Sequence, residues 1–499
     1  MDRIRQLYQV FSKTEVRYLK QYLDAFHAKG ANKSLELIEI LDKNPEITNK
    51  EMAERLYGNP KSKAFSMLKS RLYERMLETL TLSVNFQNNP ALKEDSTAYE
   101  SVSLSKMNTY GIMLNKRGLK NQSREMFEKI IKDADQTVLP EFNLSALISL
   151  RNLSNSFEEV EKNINPKIAL AFEQYKIDAM GVGMMRTFIL HRGETNHPVS
   201  ESLARLKKDI KILEDSLAKT YSPRADYYRL QLYYSFYAFS KDMPSVRSVL
   251  QEIIELVERY PKLSTNNRKG ILLMRLSNIA LNQGNYEEAI EASQKSMRML
   301  YPKSPNYFSA TILSIMAYTV TGRLSKVEEL FPKIEWFIKF PQSPQQTGQF
   351  HFFKASKAYL EKDLKGAQRY LQHTNDLLKD KEGWNLAVRV MEMMILIDLG
   401  EDDLLYNRLE SFRKHMSKYN IPPRIQTTYR LLLSISRNAL NFKVVWEECE
   451  EVVDEMRQTH PWSIHTYEFL PFDIWLEAKA KNMPFYPTLL QMVSASKTE

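Results

Sequence analysis

The sequence predicts an all-α protein made of repeated antiparallel helix pairs behind a small N-terminal helical domain. Three observations carry that expectation. Glycine is scarce, 14 residues in 499, and proline stands at 20, whereas a β-rich or α/β chain of this length needs many more glycines for turns and crossovers. Leu, Lys, Glu, Met, Gln and Ala, which lose little on entering a helix, are abundant instead. Apolar residues recur at spacings of three and four almost throughout.

Helix starts are marked along the chain. Asn59-Pro60, Asn89-Pro90, Asn165-Pro166, Ser222-Pro223 and Ser304-Pro305 each pair an N-cap residue with proline. Proline is tolerated at a first helical position because its missing N–H has no intrahelical partner there. Ser12-x-x-Glu15 and Thr48-x-x-Glu51 read as capping boxes. Over residues 1–85 this predicts short helices at about Lys13–Ala28, Lys33–Leu41, Asn49–Leu56 and Pro60–Leu80. Helical character fades over 79–84, and 86–99, with Gln87-Asn88-Asn89-Pro90, reads as a linker. Residues 100–499 form the repeat domain.

Within that domain the clearest unit is Ile271–Pro302. Its second helix opens with Gly284-Asn285-Tyr286-Glu287-Glu288-Ala289, and Leu273, Leu276 and Ala280 take the packing positions of its first. Met107–Asp133 has Gly111, Gly118, Ser123 and Phe127. Thr311–Phe337 has Gly322, Val327 and Phe331, and His351–Asp376 has Ala355, Ala358, Leu364, Ala367 and Leu371. Looser two-helix units follow near Ala387–Met416 and Tyr429–Met456.

These strings resemble the tetratricopeptide repeat, in which a glycine ends the first helix, an aromatic anchors the second and a small residue lets the two approach. The early tryptophan of that repeat is absent, and its closing proline is present mainly at Pro302. The resemblance implies a tetratricopeptide-like α-solenoid, because a helix pair that cannot bury its apolar face alone must stack on its neighbours.

Composition also bounds function. The most apolar run, Met391–Leu399, is broken by Glu392 and Asp398, so no membrane span is expected. One cysteine, Cys449, rules out an internal disulfide and a multi-cysteine zinc site. With no secretory signal at the start, this predicts a cytoplasmic protein. No Gly-Lys dipeptide, Gly-x-Ser-x-Gly elbow or His-Glu-x-x-His pair occurs, so an enzyme, a metal and a cofactor are not expected. Gly181-Val182-Gly183 reads as a helix break, and His191 and His197 flank Gly193 in a polar loop without acidic or cysteine partners at ligand spacing. Around Cys449 the acidic run Glu447–Glu455 disfavours a thiolate and reads as a solvated helix face.

Two surfaces remain as candidates. Residues 47–80 resemble a helix-turn-helix with a tight Gly58-Asn59-Pro60 turn. Phe65, Leu68, Leu72 and Met76 would pack inward, leaving Lys61, Lys63, Lys69, Arg71 and Arg75 for nucleic-acid contact. Ala53 and Gly58 miss the usual spacing, and no Asn, Gln or Arg opens the second helix for bidentate base contact. A solvated basic face on a capping domain is the favoured reading. The net charge of +9, with both signs interspersed, permits a polyanionic partner without requiring one.

The second surface is the inner face of the solenoid. Arg275, Asn278 and Asn282 share the face that resembles the repeat's ligand-facing surface. Tyr233 and Tyr237 belong to the aromatic run 227–239, most of which is expected in the core. The expected function is a non-catalytic scaffold or adaptor that binds a protein or peptide. The alternative is a DNA-binding transcriptional regulator with a repeat-built sensor, a layout resembling regulators that join a helix-turn-helix to tetratricopeptide repeats. The oligomeric state is not legible in the sequence.

Overall fold

The structure is a computed structural model, and it describes residues 3–25, 32–44, 47–83, 96–137, 139–193, 199–240, 242–339, 343–374, 377–459 and 468–495. Every element among them is helical. The chain divides into two compact units, Met1–Lys106 and Met107–Glu499. The boundary expected near 85 and the Asn89-Pro90 start lie outside the described residues, and residues 96–99 are helical.

The first unit contains α1 (Arg3–Val10), α2 (Lys13–Ala25), α3 (Lys33–Lys43), α4 (Asn49–Tyr57) and α5 (Lys63–Ser83). Both capping boxes form. Ser12 N–H donates to Glu15 Oε2 at 2.7 Å and Glu15 N–H to Ser12 Oγ at 3.3 Å, with the reciprocal pair at Thr48 and Glu51. Gly58 closes α4 at φ +64°. α5 is central, touched by each of the other four, and buries Phe65, Leu72 and Met76 as their spacing predicts. It starts at Lys63 rather than Pro60. Asn59 Oδ1 accepts from Lys61 N–H in the turn (2.9 Å), and Ser62 Oγ accepts from Phe65 N–H (3.3 Å) as the working cap. It also continues to Ser83 through the 79–84 stretch read as non-helical.

Helix α6 (Ser96–Lys116) runs across the division. Beyond it come α7 (Lys120–Thr137), α8 (Pro140–Leu153), α9 (Asn165–Gly193), α10 (Val199–Leu217), α11 (Pro223–Ser240) and α12 (Met243–Arg259). Next are α13 (Asn266–Asn282), α14 (Tyr286–Met299), α15 (Pro305–Val320), α16 (Leu324–Ile334), α17 (Trp336–Lys339), α18 (Pro344–Leu360) and α19 (Leu364–Leu371). The last are α20 (Trp384–Leu399), α21 (Asp402–Met416), α22 (Pro423–Arg437), α23 (Phe442–Thr459), α24 (Phe472–Ala480) and α25 (Phe485–Ala495). Helices pack mainly on their neighbours in sequence, and α13 on α15, α20 on α22, add contacts between first helices of successive pairs. That is the arrangement of stacked helix pairs.

One turn recurs through this unit. A residue at positive φ ends the first helix, and the next N–H donates to the carbonyl five residues back, the longer bond of the Schellman motif. It is seen as Leu119 to Leu114 (3.0 Å), Asn285 to Ala280 (2.9 Å), Arg323 to Tyr318 (2.9 Å) and Asp363 to Ala358 (2.9 Å). Glu401 to Leu396 (3.0 Å), Leu440 to Ile435 (3.0 Å) and Met483 to Ala478 (2.7 Å) continue the series. Gly118, Gly284 and Gly322 sit in these turns as expected, and Gly400 does too. Lys362, Ala439 and Asn482 take the same left-handed conformation without being glycine. From Gly284 onward the turns lie 38 to 43 residues apart.

Five residues after the turn, Ser123, Ala289, Val327, Ala367 and Leu405 are all at most 1% exposed. These are the points where the paired helices touch. Ser123 Oγ donates to Gly111 O (2.8 Å), Ser277 Oγ to Ala289 O (2.7 Å) and Ser296 Oγ to Gly270 O (2.7 Å). A Cβ on Gly111 would lie 2.7 Å from the Phe127 ring. Ala289→Phe therefore overpacks the α13–α14 contact and is expected to destabilise by about 1–3 kcal/mol. The check is a lowered melting temperature, and an unchanged one defeats this register.

Three further starts read from proline behave in two ways. Ser222 and Ser304 cap α11 and α15 as expected, their hydroxyls accepting from Ala225 N–H (3.3 Å) and Tyr307 N–H (3.2 Å). Asn165 is not a cap: it has helical φ and ψ, because a π-helical segment, Glu159–Ile164, runs directly into α9. A π turn shifts the hydrogen-bond register, so a residue without an N–H can be carried.

The C-terminal stretch does not extend the stack but folds back on it. Phe469 packs edge-on to Phe353, with ring centroids 5.1 Å apart. Lys479 pairs with Asp398 of α20 (2.7 Å), whose other oxygen accepts from Tyr359 of α18 (2.7 Å). Tyr486 donates to the Thr319 carbonyl of α15 (2.7 Å), 167 residues away. The first helices α15, α18 and α20 are thus covered by the chain's own end, and one continuous core runs from Ala280 to Val493.

Candidate functional site

The sequence-predicted residues of the repeat unit lie on two first helices, α11 and α13. α11 begins at the Ser222-Pro223 cap, and its tyrosines are graded in burial. Tyr227 is in the core, while Tyr228, Tyr233, Tyr234, Phe236, Tyr237 and Phe239 are half-buried. Tyr233 and Tyr237, one turn apart, stack with centroids 5.8 Å apart and planes 15° from parallel. Tyr233 donates to Glu214 Oε1 of α10 at 2.8 Å. Burial, reinforced by that carboxylate, pushes its phenol up to about 12.

α13 brings Arg275, Asn278 and Asn282 to the same neighbourhood, but not as three open groups. Asn282 is exposed and donates to the Asn278 carbonyl (2.9 Å), and Asn278 is half-buried beside the Tyr234 hydroxyl. Arg275 corrects the sequence expectation: it is 8% exposed, its guanidinium carbon 3.8 Å from the centroid of the Tyr234 ring. The cause is the Tyr234 ring of α11, over which the flat cation of Arg275 lies, a contact that favours a buried guanidinium. Its Nη1 is buried without a hydrogen-bond partner, and burial lowers its pKa. Leu273 and Leu276 are half-buried, and the inward face of α13 is carried by Gly270, Leu272, Ser277, Ile279 and Ala280. Asn278 and Asn282 thus adjoin Tyr234 and the buried Arg275, whereas Tyr233 faces Glu214 of α10.

On the first unit, Lys61, Lys63 and Arg71 are exposed on α5 and the turn before it. Lys69 is half-buried, its ammonium 5.7 Å from the Phe65 ring centroid. Arg75 is engaged, donating to Glu78 Oε2 (2.7 Å) and to the Tyr22 hydroxyl (3.0 Å). Glu74 and Glu78 lie exposed on the same helix, which dilutes a basic face.

The other singled-out residues fall into structural roles. Gly181 and Gly183 lie inside α9 and do not break it; a Cβ on Gly181 would meet Tyr228 at 3.1 Å, so the glycine serves a close helix approach. His191 sits in α9 rather than a loop, 3.4 Å from the Ser202 hydroxyl, and His197 lies outside the described residues. Cys449 is half-buried, its thiol pushed up by burial and by Glu448. The acidic residues of 447–455 are exposed, as a solvated face requires. Among the described residues no three His, Cys, Asp or Glu gather to hold a metal, and no helix is long and apolar enough to cross a membrane. What sequence reasoning missed was the inward turn of Arg275 and the capture of α15, α18 and α20 by residues 468–495.

No family model and no curated protein matches the sequence. Among solved structures, the chain is similar to the apo form of RapI, at 10% identity and a TM-score of 0.38, covering 73% of this chain and 97% of that one. It is also similar to a signal transduction ATPase with numerous domains and a tetratricopeptide repeat sensor, from Pyrococcus horikoshii. That match has 12% identity and a TM-score of 0.33, covering 91% of this chain and 66% of the other. By its own recurring turn and packing register, the second unit is a tetratricopeptide-like stack of helix pairs.

Proposed function

We propose that this protein is a non-catalytic scaffold that holds a protein or peptide segment on the α11–α13 surface. The observation that carries this reading is the uneven cover of the first helices' faces. Those of α15, α18 and α20 are occupied by residues 468–495, whereas Tyr233, Tyr237, Asn278 and Asn282 remain at the surface. Stacked tyrosines beside amides suit peptide recognition, offering apolar area and hydrogen bonds from side chains that lose little freedom on binding.

A second reading, a DNA-binding regulator, is supported by Lys61, Lys63 and Arg71, which form no ion pair among the described residues. One experiment separates the two. The full chain is used to capture partners from lysate before and after nuclease treatment, alongside Tyr233→Ala/Tyr237→Ala and Lys61→Ala/Lys63→Ala/Lys69→Ala. The scaffold reading expects capture that survives nuclease, fails with the tyrosine pair and persists with the lysine triple. Sequence-selective DNA binding whose salt slope flattens by about 2–3 units in the lysine triple would establish the regulator instead.

A further inference from the structure

A cleft of about 430 Å³ opens between α19, α20 and α21. It arises because α19 stops after 8 residues, where the equivalent helices α14 and α21 run to 14 and 15. Gln372 and Thr374, which follow α19, line the cleft. Its volume is within the range of small-molecule sites, which are typically roughly 300–1,000 Å³.

The wall combines the apolar Leu371, Leu378, Ile395 and Leu404 with Arg389, Glu392 and Arg408. Arg408 is matched, donating to Glu392 Oε1 at 2.8 Å. Arg389 is not. Its Nε donates to Asn385 Oδ1 (2.6 Å) and its Nη1 to Ser411 Oγ (3.3 Å), both neutral acceptors. Among the described residues it has no carboxylate partner and its Nη2 no acceptor. The Ser411 bond braces α20 against α21 and the Asn385 bond lies within α20, but a neutral amide would make both as well. Glu392 is the single carboxylate in this lining for Arg389 and Arg408 together, so the cleft carries an excess of positive charge, and the planar fork of Arg389 matches a second carboxylate. The carbonyl of Leu371, at the end of α19, already accepts from Thr374 Oγ1 (2.6 Å), so the helix end does not claim the cleft for a cation.

The geometry points to a binding site for a small amphipathic anion, one carboxylate on a short apolar body, anchored by Arg389. The head pairs with the guanidinium and the body lies along Leu371, Leu378 and Ile395. This site is separate from the α11–α13 surface and does not rest on the scaffold reading.

The test is titration of the full chain with hexanoate, hexanol and hexylamine, followed by calorimetry and ligand-detected NMR. Hexanoate binds, the neutral and cationic analogues bind at least about tenfold more weakly, and Arg389→Gln weakens hexanoate by about ten- to a hundredfold. Leu404 is 45% exposed, so Leu404→Trp narrows the mouth without entering the core; it retains the arginine and should also abolish binding. That second variant decides the matter if Arg389→Gln does not fold. Hexylamine binding as well as hexanoate, no hexanoate binding, or binding indifferent to both variants would overturn the assignment. So would a short peptide with a free C-terminal carboxylate binding where hexanoate does not.

Discussion

Replacing Arg424 with methionine is expected to lower the stability of the second unit by about 3–5 kcal/mol, the usual cost of removing one partner from a buried ion pair. Arg424, in the first turn of α22, is 5% exposed and donates from Nε to Glu468 and from Nη2 to Asp473. Asp473 has a second cation, Arg457, at 2.8 Å. Glu468 also accepts from the Thr428 hydroxyl (3.1 Å). Without Arg424 the buried Glu468 carboxylate loses the guanidinium that offsets its burial.

Burial already pushes the Glu468 carboxyl up to about 7 against the opposing pull of Arg424. A carboxyl whose folded pKa lies above its unfolded value holds its proton more tightly when folded. Its contribution is therefore most favourable below the unfolded value and is lost as pH rises through the folded one. Removing Arg424 raises the folded pKa further. The deficit of Arg424→Met should be smaller at pH 5, where Glu468 is protonated, than at pH 8. Adding Glu468→Gln should recover part of it at pH 8. Urea midpoints at the two pH values provide the measurement, and equal deficits would refute the account.

Trp475→Ala is expected to cost a similar amount, about 3–5 kcal/mol, through cavity formation. Trp475 is fully buried in α24, against Phe442 of α23 and Phe472, with ring centroids 5.6 and 5.2 Å away. The consequence is not confined to the last two helices, because the core they share reaches back to Ala280. Limited proteolysis should find 468–495 cleaved in step with loss of the near-ultraviolet signal of the core. Cleavage of that segment from an otherwise intact variant would show instead that it is a detachable cover.

Local chemistry made much of this protein legible in advance. Ser12 with Glu15 and Thr48 with Glu51 satisfy their own orphan N–H groups, so those helix starts follow from four-residue strings. Gly118, Gly284 and Gly322 mark turns because glycine adopts positive φ without a Cβ penalty. Ala289 and Ser123 follow, five residues on, where only a small side chain lets two helices touch. Lys61, in the turn before α5, and Lys63 and Arg71 on it are exposed, as the apolar spacing of α5 predicts. The engagement of Arg75 by Tyr22 could not be read, since its partner lies 53 residues upstream.

The rest was decided by tertiary structure. Lys362, Ala439 and Asn482 make the same turn as the glycines because the hydrogen bond to the carbonyl five residues back, with packing on both sides, outweighs the local cost of the left-handed conformation. Arg275 points inward because it lies over the Tyr234 ring of α11, a contact made by two helices together and by neither alone. Residues 468–495 are apolar enough in sequence to announce burial. Which surface they cover depends on contacts such as Tyr486 to Thr319, across 167 residues, and periodicity within one helix holds no information at that range.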